Sequence, residues 1–173
     1  MSEKVVTIFG TGNAKPQEPI YKLAFETGSL LAQSGFTIAN GGYGGSMLAA
    51  AQGAAQAGGK IIGVTCRKFA AKPNEFISRE ITTDSLEQRL DTLVKLGQAY
   101  VVLPGATGTL LELAMVWELK NKGFLKPEKP IILLGGFWKP LLEMIAAEEP
   151  KARQCVRIAD SPEQVRNILV SSI

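Results

Sequence analysis

The chain has 173 residues, 46% hydrophobic and 20% charged, which suits one globular domain over 1–173 and excludes disordered, collagen-like and disulfide-scaffold classes. Lys and Arg number 19 against 16 Asp and Glu, so the net charge of +3 is too mild for a polybasic nucleic-acid or membrane surface. There is no histidine, which removes His-based triads, His metal sites and imidazole shuttles and leaves acid–base chemistry to carboxylates, Lys, Tyr, Cys or water.

In chain order, the patterning predicts a strand at 5–9, a helix near 19–34, a strand at 37–39, a helix at 46–57 and a strand at 60–65. A short extra strand within 76–83 precedes a helix at 85–97, a strand at 99–103, a helix at 109–122, a strand at 130–134, a helix at 138–148, a strand at 156–159 and a helix at 162–171. Most strand segments are apolar throughout, as expected of parallel strands covered on both faces. Ser161-Pro162-Glu163-Gln164 and the Ser85/Gln88 pair carry helix-start signals. The βα alternation predicts an α/β fold, a Rossmann-like doubly wound parallel sheet whose ligand site lies beyond the carboxyl ends of the strands. No internal repeat or linker interrupts it.

Cys66 and Cys155 form no CxxC pair and read as reduced thiols. Residues 1–9 lack the pattern of a secretory leader, and no apolar run reaches the ~20 residues that span a bilayer. The expectation is a cytoplasmic protein with no membrane and no nucleic-acid polymer among its partners, and with no metal or cofactor.

Three glycine clusters follow three predicted strands: Gly10-Thr11-Gly12, Gly41-Gly42-Tyr43-Gly44-Gly45 and Pro104-Gly105-Ala106-Thr107-Gly108-Thr109. Each lies just before a helix, where unpaired N–H groups and the helix dipole favour an anion such as a phosphate. One such cluster is most simply a tight turn; three at equivalent positions point to one binding site. The first cluster lacks the third glycine of GxGxxG. The segment 53–60 resembles a Walker A loop only superficially, since Gly59 occupies the lysine position.

Glu112 carries two readings. Thr109-Leu110-Leu111-Glu112 has the form of a capping box, in which the glutamate serves only the helix start. On the helix, however, Glu112 shares a stripe with Met115, Val116 and Leu119, which marks it as a carboxylate held near apolar surroundings close to the proposed phosphate turn. In the 85–97 helix the stripe Leu86, Leu90, Leu93 and Gly97 is expected to be buried, with Arg89 at its flank, either snorkelling on the surface or bending toward the strand ends. Arg67 is a second, weaker cation.

Together these residues resemble the lonely-guy (LOG) family, phosphoribohydrolases that release the free base from cytokinin nucleoside 5′-monophosphates. The family pattern PGGxGTxxE is similar to Pro104-Gly105-Ala106-Thr107-Gly108-Thr109-Leu110-Leu111-Glu112, and GGxxGxM is similar to Gly41 through Met47. The family's arginine, fifteen residues before the PGG proline, corresponds to Arg89; Ile62-Gly63-Val64 and the KPIILL segment at 129–134 also match. Departures are Ala106 for the second glycine of PGG, Leu90 for the lysine after the arginine, and Gly10-Thr11-Gly12 for a Cys-Gly-Ser-Ser-like turn. The chain is also similar to molybdenum cofactor carrier proteins. A "lysine decarboxylase" label is common among such relatives, yet nothing here specifies a pyridoxal-phosphate lysine.

The resemblance implies a nucleoside 5′-monophosphate or related phosphorylated small molecule as ligand, with Glu112 and Arg89 catalytic. Gly10, Thr11, Gly12, Gly41, Gly42, Gly45, Met47, Gly105, Ala106, Thr107, Gly108 and Thr109 would bind substrate and phosphate. Alternatives are a carrier that binds without chemistry and a scaffold whose glycines merely shape turns. The 109–122 helix is apolar on nearly every side, and with the resemblance this implies a homodimer or higher homo-oligomer.

Overall fold

The computed structural model describes residues 3–126 and 128–173. The strands are β1 (Val5–Phe9), β2 (Thr37–Asn40), β3 (Ile61–Cys66), β4 (Arg79–Thr83), β5 (Ala99–Val102), β6 (Ile131–Leu134) and β7 (Val156–Ala159). The helices are α1 (Pro19–Gln33), α2 (Ser46–Gln56), α3 (Leu86–Leu96), α4 (Thr107–Asn121), α5 (Lys139–Glu148) and α6 (Pro162–Ser172), with a 3-10 turn at Pro150–Cys155 that the sequence pattern did not reveal. The strands form one parallel sheet in the order β4-β3-β2-β1-β5-β6-β7. The chain builds outward from β1 to β4, then crosses back to place β5 on the other side of β1. The strand order therefore reverses between β1 and β5, and the crevice at such a reversal is where open α/β sheets hold ligands.

Alternation along each strand divides the interior into two layers. Val6, Ile8, Ile38, Ile61, Val101, Leu103 and Ile132 pack against α1, α2 and α6, whereas Phe9, Ala39, Ile62, Val64, Tyr100, Val102 and Leu133 pack against α3, α4 and α5. The strands thus read as uninterrupted apolar runs because each face has its own helical cover. The extra strand is confirmed as β4, at the sheet edge, where Arg79 and Glu80 are exposed. Charge on an edge strand discourages pairing with other chains.

Two helix starts behave as their sequence suggests. Ser85 Oγ accepts from the Gln88 backbone N–H at 3.2 Å, and Ser161 Oγ from that of Gln164 at 3.3 Å. Each glutamine reaches back one residue further than a standard box, accepting from the Asp84 or Asp160 N–H. The third reading is corrected: α4 begins at Thr107 with Ala106 as N-cap, so Thr109 lies inside the first turn and makes no capping box with Glu112. Segment 53–60 is no phosphate loop either, since Gly53 lies within α2. Cys66 is buried and both thiols are free. Among the described residues no helix is long and apolar enough to cross a membrane.

Candidate functional site

A cavity of about 320 Å³ opens at the carboxyl ends of β1, β2, β3 and β5. Of the residues expected to act or bind there, Gly10, Thr11, Gly12, Met47, Arg89, Ala106, Gly108, Thr109 and Glu112 line it. Gly41, Gly42, Gly45, Gly105 and Thr107 do not. Gly41 and Gly105 shape the wall from behind: a side chain at Gly41 would overlap the Arg89 guanidinium, and one at Gly105 would overlap Thr109 Oγ1. Asn13, Tyr43, Phe69, Leu86, Leu90 and Leu111 also line the cavity, none of them among the site residues expected from the sequence.

The turns are stitched together by their own backbone. Thr11 N–H donates to Pro104 O at 3.3 Å, while the Thr11 carbonyl accepts from Ser46 N–H and Ser46 Oγ, both at 2.8 Å. Asn40, fully buried at the end of β2, braces the second turn from inside: Oδ1 accepts from Gly42 N–H at 2.8 Å and Nδ2 donates to Met47 O at 3.0 Å. Alanine at this position would strand the buried Gly42 N–H, costing about 1–3 kcal/mol, and remove the second bond to Met47 O, worth about 1 kcal/mol. Asn40→Ala is accordingly expected to lower the urea unfolding free energy by about 2–4 kcal/mol. An unchanged midpoint would show that the amide is not a brace.

At α4 the N-cap Ala106 offers no side-chain acceptor, so the first turn, whose Gly108 and Thr109 line the cavity, brings uncapped N–H groups and the positive end of the helix dipole beside it. Ala106 has φ −100°, which any L-residue adopts, so its methyl group fits where the resembled pattern has glycine. Glu112 stands one turn further on, facing the same space.

Arg89 is buried, 7% exposed, and Leu86 of the expected buried stripe is 42% exposed at the cavity mouth. The inward face of α3 is therefore Arg89, Leu93 and Val94, which corrects the stripe read from the sequence. Burial is tolerated because Arg89 Nε donates to Val64 O at 2.8 Å, and the guanidinium lies 5.6 Å from the ring centroids of Tyr43 and Phe69. Arg67, by contrast, pairs with Asp84 at 3.0 Å on the surface, outside the cavity lining.

Arg89 Nη1 and Glu112 Oε1 are 3.7 Å apart. That is within ionic attraction but too long for a hydrogen bond. The Glu112 side chain is 14% exposed. Burial raises its pKa from an ordinary 4.5 to about 7, against the opposing pull of Arg89. The cavity therefore joins an anion-attracting helix start, an inward cation and a carboxyl group poised to exchange a proton near neutrality.

The profile of the SLOG cluster4 family matches residues 3–166. An uncharacterized protein of Archaeoglobus fulgidus is 29% identical over 170 residues, covering 98% of this chain and 97% of that one. A cytokinin riboside 5′-monophosphate phosphoribohydrolase of Mycobacterium tuberculosis is 32% identical over 119 residues, 66% of this chain and 62% of that protein. Among solved structures, the molybdenum cofactor binding protein of Rippkaea orientalis superposes with a TM-score of 0.82 at 27% identity, covering 99% of this chain and 98% of that one.

Proposed function

The chain belongs to the SLOG cluster4 family, and on that premise we propose that it hydrolyses the N-glycosidic bond of a nucleoside 5′-monophosphate, giving free base and ribose 5-phosphate. The observation that carries this reading is the Glu112 carboxyl group, 3.7 Å from Arg89 and facing a cavity that also receives the uncapped start of α4. The similarity to the Mycobacterium tuberculosis phosphoribohydrolase supports it.

Cleavage of such a bond passes through an oxocarbenium-like sugar, which a nearby carboxylate stabilises. The 5′-phosphate would rest on the first-turn amides of α4, opposite the turn 10–13. Glu112, one helical turn away, would then lie beside the ribose. Its ionised form opposes the developing positive charge and takes a proton from the attacking water, a task suited to a group titrating near 7, while the departing base takes up a proton from solvent. Arg89 stays charged and serves as a holder of substrate oxygen and a counterweight to Glu112, since guanidinium groups do not give up protons at working pH. Binding energy from the remote phosphate aligns the reacting bond.

The test is incubation with a panel of nucleoside 5′-monophosphates, AMP and CMP among them, with chromatographic detection of base and ribose 5-phosphate. Stoichiometric base release with turnover is expected. Release from none of them would leave the second reading, a carrier that binds without chemistry, which the likeness to the Rippkaea orientalis protein favours. A carrier would hold its phosphorylated cargo on the same α4 amides and be indifferent to Glu112→Gln.

A further inference from the structure

We propose that Tyr43 and Phe69 are positioning residues: together they hold the Arg89 guanidinium back from Glu112, so that its terminal N–H groups stay available to a ligand oxygen. This rests on the reading of the cavity as a hydrolytic site and deepens it. The two ring centroids are 5.7 Å apart, and Arg89 Cζ is 5.6 Å from each, so the cation sits in the notch of an aromatic pair. Attraction to ring π-density consumes no N–H donor. The single hydrogen bond that the Arg89 side chain makes to the described residues uses Nε, donating to Val64 O at 2.8 Å. Nη1 and Nη2 keep their N–H groups out of hydrogen bonds to the described residues, Nη1 on the side of Glu112 and Nη2 against Gly41.

The notch is built, not incidental. Both residues are tied to Cys66: Cys66 O accepts from Tyr43 Oη at 3.2 Å and from the Phe69 backbone N–H at 3.0 Å, and Cys66 N–H donates to Tyr43 Oη at 2.8 Å. Asn74 sews the following loop to the same turn, donating from its backbone to Gly42 O at 2.8 Å and from Nδ2 to Tyr43 O at 3.0 Å. Phe69 nonetheless remains 41% exposed, which a residue serving only to fill the core would not be.

An unrestrained arginine beside a half-desolvated carboxylate closes into a direct, charge-assisted pair. That would spend the guanidinium donors on Glu112 and pull its titration down toward the ordinary range. The titratable residues lining the cavity are Tyr43, Arg89 and Glu112; the phenol of Tyr43 is engaged by Cys66, and Arg67 and Asp84 neutralise one another on the surface. Burial is the larger influence on Glu112, and Arg89 is the charge that opposes it, so moving Arg89 closer would pull the carboxyl group back toward its ordinary range.

The experiment compares wild type with Phe69→Leu and Phe69→Tyr, the substituted side chain being exposed enough to spare folding. Carboxyl ¹³C NMR titration of the ligand-free proteins, with the Glu112 signal assigned by its loss in Glu112→Gln, reads the clamp without any substrate. Phe69→Leu is expected to lower the Glu112 midpoint by about one pH unit and kcat toward AMP by about tenfold, with KM changed less, while Phe69→Tyr restores both. An unmoved midpoint in folded Phe69→Leu, or identical behaviour of the Leu and Tyr variants, overturns the proposal. If wild type releases no base from any nucleotide, the hydrolytic reading fails and the NMR titration alone decides the clamp.

Discussion

Replacing Glu112 by glutamine is expected to slow base release from a nucleoside 5′-monophosphate by about 10²–10⁴-fold while leaving nucleotide affinity nearly intact. Glutamine keeps the size and hydrogen-bonding reach of the side chain but neither accepts a proton from water nor opposes positive charge on the sugar. A loss of that size in kcat with little change in KM marks a group whose value is realised in the transition state. Full turnover in the variant would remove Glu112 from the chemistry.

The same substitution has an opposite effect on stability. The pKa of Glu112 is raised from 4.5 to about 7 by burial, so between those values the native state retains a proton that the unfolded chain has released. The stabilisation is fully present below pH 4.5 and is lost as pH rises through about 7. A shift of this size corresponds to about 3 kcal/mol, and Glu112→Gln, which does not titrate, escapes the loss. Urea midpoints at pH 5 and pH 8 are expected to show the variant gaining on wild type at the higher value. The rate runs the other way: because the ionised carboxylate acts on water, kcat/KM should rise with pH through about 7. Rate and stability changing in opposite senses over one window is a signature that a purely structural glutamate would not give.

The sheet could be read from the sequence because strands buried on both faces announce themselves as unbroken apolar runs; Val5 to Phe9 are all buried. The end of the sheet at which the cavity opens followed from the glycine turns by topology alone. Side-chain partners followed less well, for identifiable reasons. The capping reading of Thr109 failed because Thr-x-x-Glu fits equally a box at the helix start and a segment one turn inside it, and the backbone begins its helix at Thr107. Arg89 looked like a flank residue because hydropathy assigns arginine to solvent; its burial depends on Val64 O, Tyr43 and Phe69, all distant in sequence. Tyr43 and Phe69 left one faint signal, aromatic rings in loops otherwise made of small or charged residues.

The second large expected effect is at Gly45, where fold and site are the same object. Gly45 has φ 64° and ψ −135°, a region essentially closed to residues with a Cβ. A Cβ there would also collide with the carbonyl oxygens of Thr11 and Gly12, which are backbone atoms fixed by the Ser46 hydrogen bonds to Thr11 O. Neither problem is relieved by rotating a side chain. Backbone strain of about 1–3 kcal/mol and overpacking of about 1–3 kcal/mol act together, so Gly45→Ala is expected to destabilise the protein by about 2–6 kcal/mol. At about 2–4 °C per kcal/mol for a chain of this size, the melting temperature falls by about 4–24 °C, which calorimetry measures directly. The relief open to the chain is to push the turn 10–13 away from α2, and this widens the gap between that turn and the start of α4. Nucleotide affinity is therefore expected to fall even at temperatures where Gly45→Ala remains folded. A variant with wild-type melting temperature and wild-type affinity would mean that the contact between the first and second turns does not set the shape of the cavity.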